Sequence, residues 1–241
     1  MTEPILEIRG LDFRYPSAQR RALDGFELAL GPGIRCLLVG RNGAGKTTLL
    51  HVLAGKHLVP EDKVLILGRP AFHDPSLAGE VTFLGGSYTF DVDIVVADML
   101  QRTPGIDPVR RDRLLTALGV NPGWHMHRIS DGQRRRVQIL LGLIKPARLV
   151  LLDEVTTDLD PLARAQLLEF LREETETRGV TVLYATHIFD TLEEWATHIA
   201  LLEDGKLARL TEIRDLPELR APGQQKSRSP LYRVVEKWLR G

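Results

Sequence analysis

The chain carries one cysteine, Cys36, in 241 residues. No internal disulfide can therefore form, and a reducing compartment suits it. Set in an apolar run, Cys36 reads as a small core residue and not as a reactive thiol. Net charge is also missing: 32 basic residues against 32 acidic ones leave a formal charge of +0, which excludes a molecule that binds polyanions over its whole surface. No apolar run approaches the roughly 20 residues that span a bilayer. Residues 1–6 lack a charged segment followed by an apolar stretch, so no signal peptide is expected. The sequence shows no internal repeat, long coiled coil, zinc finger or cluster of metal-ligating residues. The expectation is one large or two small domains in the cytoplasm, reaching any membrane only through a partner.

What is present begins with Gly40-Arg41-Asn42-Gly43-Ala44-Gly45-Lys46-Thr47-Thr48, directly after the apolar run Cys36-Leu37-Leu38-Val39. This reads as strand, phosphate-binding loop and helix start. The glycines let backbone N–H groups turn inward as a nest for phosphate oxygens. Lys46 then reaches the β- and γ-phosphates, and the Thr47 hydroxyl can ligate Mg²⁺.

Other elements follow in a fixed order. Residues 5–15 alternate apolar and polar up to Pro16 and read as a strand. Residues 25–30 and 34–39, joined by Gly31-Pro32-Gly33, read as a strand pair. Short strands are expected at 64–67 and 81–84, and the pattern turns helical between Tyr88 and Arg128, with Asp107-Pro108 opening a helix closed by Gly119. Next come Ile129-Ser130-Asp131-Gly132-Gln133 and Arg134-Arg135-Arg136, a run that reads as the solvated face of a helix. A buried strand, Leu149-Val150-Leu151-Leu152, delivers Asp153-Glu154 at its C-terminal end. Asp158-Leu159-Asp160-Pro161 opens a helix over 161–177, and a strand over 180–185 leads to Thr186-His187 and a helix over 189–195. A hairpin turns at Asp204-Gly205. Residues 221–230 have a linker's composition, and Leu231, Val234, Val235, Trp238 and Leu239 then form an apolar stripe that must be buried on its own domain, on a twin, or on a partner.

This order of motifs resembles the nucleotide-binding domain of the ABC ATPase family over roughly residues 4 to 210. The resemblance implies an α/β fold: a P-loop NTPase with a mixed sheet on a RecA-like core, an antiparallel β subdomain and a short helical subdomain. It divides the chain into a nucleotide-binding domain at 1–220, with the helical subdomain at 88–140, a linker at 221–230 and an amphipathic helix at 231–241. ATP and Mg²⁺ are the implied cofactors. The loop Gly40, Arg41, Asn42, Gly43, Ala44, Gly45, Lys46, Thr47 and Thr48 would hold ATP, and Tyr15 would stack on adenine, although a strand-end tyrosine also suits a core. Thr47 and Asp153 would hold Mg²⁺. Glu154 would be the general base, with Lys46 and His187 beside it in catalysis. Ser130, Asp131, Gly132 and Gln133 would act on the ATP of a second copy, which implies an ATP-dependent head-to-tail homodimer, with Asp160 in the loop between the sites.

The chain also departs from that family. Asp131 stands where a glycine is usual, near a triphosphate it would repel unless turned away or neutralised. Val155 replaces a proline, and Thr156-Thr157-Asp158 stands where Thr-Ser-Ala is common. After the strand at 81–84 a glutamine usually touches Mg²⁺ and couples to a membrane subunit, whereas this chain has Gly85-Gly86-Ser87. Ser87 is the nearest polar substitute. The wording of residues 130–138, 152–160 and 184–190 is similar to stand-alone members of the family, plant subfamily I proteins and a fungal NOT-complex-associated protein among them. The expected function is an ATPase that drives or regulates an unidentified protein partner. A membrane transporter's ATP-hydrolysing subunit and an ATP-dependent scaffold with negligible turnover stand as alternatives. Nothing signals nucleic-acid binding.

Overall fold

The computed structural model describes residues 3–86, 93–219 and 229–240. Two sheets carry the fold. The first is antiparallel, with order β2-β1-β4-β5. It comprises β1 (Leu6–Phe13), β2 (Leu23–Leu30), β4 (Val64–Ile66) and β5 (Arg69–Pro70). The second has the order β10-β9-β3-β8-β7-β6. It holds β3 (Arg35–Gly40), β6 (Val81–Leu84), β7 (Leu149–Asp153), β8 (Thr181–Ala185), β9 (His198–Glu203) and β10 (Lys206–Glu212). From β9 to β6 the strands are parallel, and β10 closes the edge antiparallel. The central strands read as near-continuous apolar runs because both faces are covered: β8 is buried at every residue, and β3 at all but Gly40.

One expected pairing is corrected here. Residues 25–30 and 34–39 do not form a hairpin. The alternating β2 pairs with β1, while the continuous apolar β3 takes parallel neighbours in the other sheet. Gly31-Pro32-Gly33 carries the chain between sheets, held by Thr181 Oγ1 donating to the Gly31 carbonyl at 2.7 Å and Gly33 N–H to that of Gly179 at 3.1 Å. The helix expected over 189–195 is also shorter. Thr191 adopts left-handed φ, so α-helical structure starts only at Leu192.

The helices are α1 (Lys46–Leu53), α2 (Val96–Gln101), α3 (Pro108–Leu118), α4 (Asp131–Leu143), α5 (Pro161–Arg178), α6 (Leu192–Trp195) and α7 (Pro230–Arg240). The starts of α3, α4 and α5 follow capping chemistry. Asp107 accepts from Val109 N–H at 3.0 Å ahead of Pro108, and Gly119 ends α3 in the left-handed region. In α7 the residues Leu231, Val234 and Val235 are buried on the same chain, each contributing about 2 kcal/mol. Tyr232 meets Phe189 edge-on, and Arg209 lies 4.7 Å from the Trp238 ring. Most of the expected linker lies outside the described residues, and its last residue, Pro230, is the first of α7.

The helical layer is tied to the sheet core by a buried ion pair. Arg110 of α3 donates to Glu174 of α5 at 2.7 Å and to the Leu143 carbonyl at 2.8 Å, over the Phe170 ring. Removing one partner leaves the other charge buried and unpaired. Glu174→Ala is therefore expected to lower unfolding free energy by about 3 kcal/mol in urea denaturation. The exposed neighbour Glu173, paired with Arg113, should cost under about 1 kcal/mol when changed to Ala.

Candidate functional site

Three adjacent strands end together. In register, Leu38 of β3 faces Ala185 of β8, and Ala185 faces Asp153 of β7. The phosphate-binding loop, Asp153-Glu154 and Thr186-His187 thus leave the sheet side by side at its C-terminal edge, the ligand-binding edge of open α/β sheets.

The loop is built by close approach. A Cβ on Gly45 (φ 108°) would lie 2.5 Å from the Ala22 carbonyl oxygen, and one on Gly40 2.4 Å from that of Leu202. Arg41, Asn42 and Gly43 are exposed, while Ala44 is buried and accepts from Gly205 N–H at 3.1 Å. Lys46 Nζ donates to the carbonyls of Gly40 at 2.7 Å and Arg41 at 3.2 Å. Burial pulls the Lys46 ammonium below its ordinary range, against the opposing charges of Glu154 and Asp153. Thr47 is exposed in the first turn of α1. Thr48 is buried, with Oγ1 3.3 Å from the Tyr15 hydroxyl. The Tyr15 ring meets Phe13 and His57 edge-on.

Glu154 has a left-handed backbone (φ 51°), a conformation costing about 1–3 kcal/mol in a non-glycine residue and concentrated at functional sites. Its N–H donates to the Ala185 carbonyl at 2.9 Å. His187, 68% exposed, brings Nδ1 to 2.9 Å from Glu154 Oε2. That contact lacks hydrogen-bond alignment, so Oε2 is buried with no hydrogen-bond partner among the described residues. A buried, unsatisfied carboxylate oxygen is an acceptor for water. The Thr47 hydroxyl and the Asp153 carboxylate are the hard oxygen donors that Mg²⁺ prefers, so these residues fit that ion.

Ser130 caps α4 in a reciprocal capping box: its Oγ accepts from Gln133 N–H at 3.2 Å, and Gln133 Oε1 accepts from Ser130 N–H at 3.0 Å. Asp131 does not cap. Its side chain is 96% exposed and paired with Arg134, which neutralises it. A Cβ on Gly132 would stand 3.1 Å from the Asp158 carbonyl. Asp160 caps α5, accepting from Leu162 and Ala163 N–H at 3.0 Å, and pairs with Arg136. The bond from Ala163 leads the lowering of its pKa.

The arginine run is not a solvated face. Arg134 donates to Asp131 and to the Ile129 carbonyl, and Arg136 to Asp160. Arg135 is buried, donating to the carbonyls of Gly86 at 2.7 Å and Val155 at 3.3 Å. Carbonyls left over at two strand ends need donors, and helix α4 supplies them. In the segment that replaces the glutamine, a Cβ on Gly85 would fall 2.8 Å from Asp153 Cβ and 2.6 Å from the Phe83 ring, whereas one on Gly86 would meet nothing within 4 Å. Ser87 lies outside the described residues. A concavity of about 600 Å³ between α3 and α5, lined by Val109, Arg113 and Phe170 among others, is remote from all these groups. The loop chemistry, not that hollow, marks the site.

Sequence reading missed Arg135. It also missed a cluster of metal-ligating side chains, so the expectation of none is corrected: Asp93, His125 and His127 bring one donor atom each within 4.8 Å of one another. His125-Met126-His127 was the available signal, but its partner Asp93 is distant in sequence.

Strand, loop, helix and carboxylates together define a P-loop nucleotide-binding cassette. The profile of the family described as ABC transporter matches residues 23–157, and the chain belongs to that family. It is 46% identical over 255 residues to ABC transporter I family member 20 of Arabidopsis thaliana, covering 98% of this chain and 76% of that one. It is 40% identical over 222 residues to CCR4-associated factor 16 of Saccharomyces cerevisiae, covering 84% and 76%. In fold it is similar to an ATP-binding subunit of an ABC transporter, with TM-score 0.76 and 22% identity over 88% of this chain and 91% of that one. It is also similar to a dimeric ATP-binding cassette bound to ADP and Pi, with TM-score 0.73 and 20% identity over 88% and 100%. The expected P-loop ABC-type fold and the likeness to stand-alone subfamily I members are both borne out. No helix among the described residues is long and apolar enough to cross a membrane.

Gly45→Ala should displace the loop through its clash with Ala22. The expected result is at least about a tenfold loss of Mg-ATP affinity by calorimetry, together with a lower melting temperature of the apoprotein, because the added methyl meets a backbone carbonyl at a positive φ.

Proposed function

We propose that this chain hydrolyses ATP in a head-to-tail pair of identical subunits, and that opening and closing of the pair acts on a protein partner in the cytoplasm. The observation that carries the reading is the strained Glu154, whose buried Oε2 lies against His187 beside the phosphate-binding loop. Water attacks the γ-phosphorus of ATP, giving ADP and inorganic phosphate. Glu154 orients that water and takes its proton. Lys46 neutralises β- and γ-phosphate charge, and His187 donates to the γ-phosphoryl oxygens. Mg²⁺, for which Thr47 and Asp153 supply oxygen donors, would screen the remaining charge. Tyr15 offers its ring to adenine. Ser130, with the first N–H groups of α4, serves the ATP held by the second copy, and Asp160 lies between the two sites.

The pair's closure is a population shift, since ATP gains contacts in the closed form that the open form lacks. A protein partner is supported by the yeast relative, which is named for its association with CCR4. The alternative of a transporter subunit loses support at residues 85–87, where Gly85-Gly86-Ser87 stands in place of the glutamine that the family couples to a membrane subunit. A scaffold with negligible turnover sits poorly with the strain held at Glu154.

Glu154→Gln keeps the shape of the side chain and removes the base. Steady-state hydrolysis should fall at least about a hundredfold, while Mg-ATP doubles the solution mass. Undiminished turnover would remove Glu154 from this role. Pairing in trans is checked separately by mixing Ser130→Arg chains with Lys46→Ala chains. Each heterodimer regains one competent site, so activity should rise with mixing, whereas inactivity in heterodimers proven by mass would refute the head-to-tail arrangement.

A further inference from the structure

The chain at 124–126 lies beside the segment entering α2 and then turns over 126–128, Arg128 N–H donating to the His125 carbonyl at 2.9 Å. Val95 and His125 form an antiparallel bridge, Met126 N–H donates to the Ile94 carbonyl at 3.0 Å, and Val96 N–H to that of Trp124 at 3.0 Å. Met126 and Val96 are fully buried. Met126 turns inward, while His125 and His127 on either side of it stay 40% exposed on the outer face of the turn. Asp93 lies on that face, Oδ1 3.0 Å from His125 Nδ1 and 2.5 Å from His127 Nδ1. All three side chains are partly exposed, so an ion can reach them.

We propose that Asp93, His125 and His127 form a zinc site that braces the start of α4. Two imidazoles and one carboxylate are borderline donors suited to Zn²⁺, whereas Mg²⁺ prefers an all-oxygen shell and would not compete here. Tetrahedral zinc with ligands at about 2.0–2.1 Å places its donor atoms about 3.3 Å apart; the three donor atoms already lie within 4.8 Å of one another, so the two imidazoles close on the ion by side-chain rotation. Water completes the fourth position. The backbone hydrogen bonds already fix both ligand segments, which lowers the ordering cost of binding. One adjustment is required. Arg128 Nε donates to His127 Nε2 at 3.1 Å, and coordination through Nδ1 moves the ring proton to Nε2, so Arg128 turns away.

The position gives the site its consequence. His127 lies three residues before Ser130, and Asp93 three before α2. The ion ties the start of the helical layer to the turn carrying the capping box of α4.

The test uses the full chain, freed of any purification tag, stripped by chelating resin and kept without nucleotide, because a triphosphate itself binds zinc. Calorimetry with ZnCl₂ should give one site per chain, and CoCl₂ should give the visible absorption of a four-coordinate ion. His125→Ala and His127→Ala should each weaken zinc at least about tenfold. Arg128→Gln should tighten it several-fold, a gain that no loss of folding can imitate. His73→Ala, at a histidine outside the cluster, should leave binding unchanged. The proposal is overturned if the wild-type chain shows no saturable zinc binding. It is equally overturned if binding survives the His125→Ala/His127→Ala double variant in a chain whose melting curve shows it folded.

Discussion

The parallel register of β3, β8 and β7 is the constraint from which the site follows. Each strand carries one chemical element at its C-terminal end: the phosphate loop, His187 and the Asp153-Glu154 pair. A slip of one residue in β7 would exchange its two faces and carry the carboxylates away from Ala185. What prevents the slip is burial on both faces of β7 and β8, since nearly every residue of these strands has a fixed apolar place. Packing in the interior therefore sets the spacing of these groups at the rim.

Helix α4 reports on that rim. Its arginines satisfy carbonyls at Gly86, Val155 and Ile129 and pair with Asp131 and Asp160. Through Arg135 alone, the helix senses the ends of both β6 and β7. Any displacement of α4 must break these charge-assisted bonds or drag both strand ends with it. Gly85, pressed against Asp153, adds a steric contact at the same junction. The contacts between the helical layer and the strand ends are thus short-range, and Arg135 makes them through backbone carbonyls.

Much of this was legible from sequence because motif order is local chemistry. The glycine-rich loop after an apolar strand, the carboxylates ending another, and the helix capped by Asp107-Pro108 all carry their reason within a few residues. Errors arose where a distant partner decides. Gly31-Pro32-Gly33 looks like a hairpin turn, yet the strands it joins find better neighbours in separate sheets. The arginine run looks solvated until the carbonyls it serves are seen. Asp93 and His127 meet only after α2 and α3 have folded between them. The left-handed φ of Glu154 has no sequence signature at all, since nothing local favours it.

The capping box at Ser130 also sets the chemical sense of that residue. Its oxygen already accepts an N–H from Gln133, so the hydroxyl faces outward chiefly through its hydrogen. Its hydrogen remains to be donated, beside the N–H groups of the first turn and the exposed Asp131 carboxylate that Arg134 pairs with. The bond that starts the helix thus also fixes which way this hydroxyl can serve a neighbour, before any second molecule arrives.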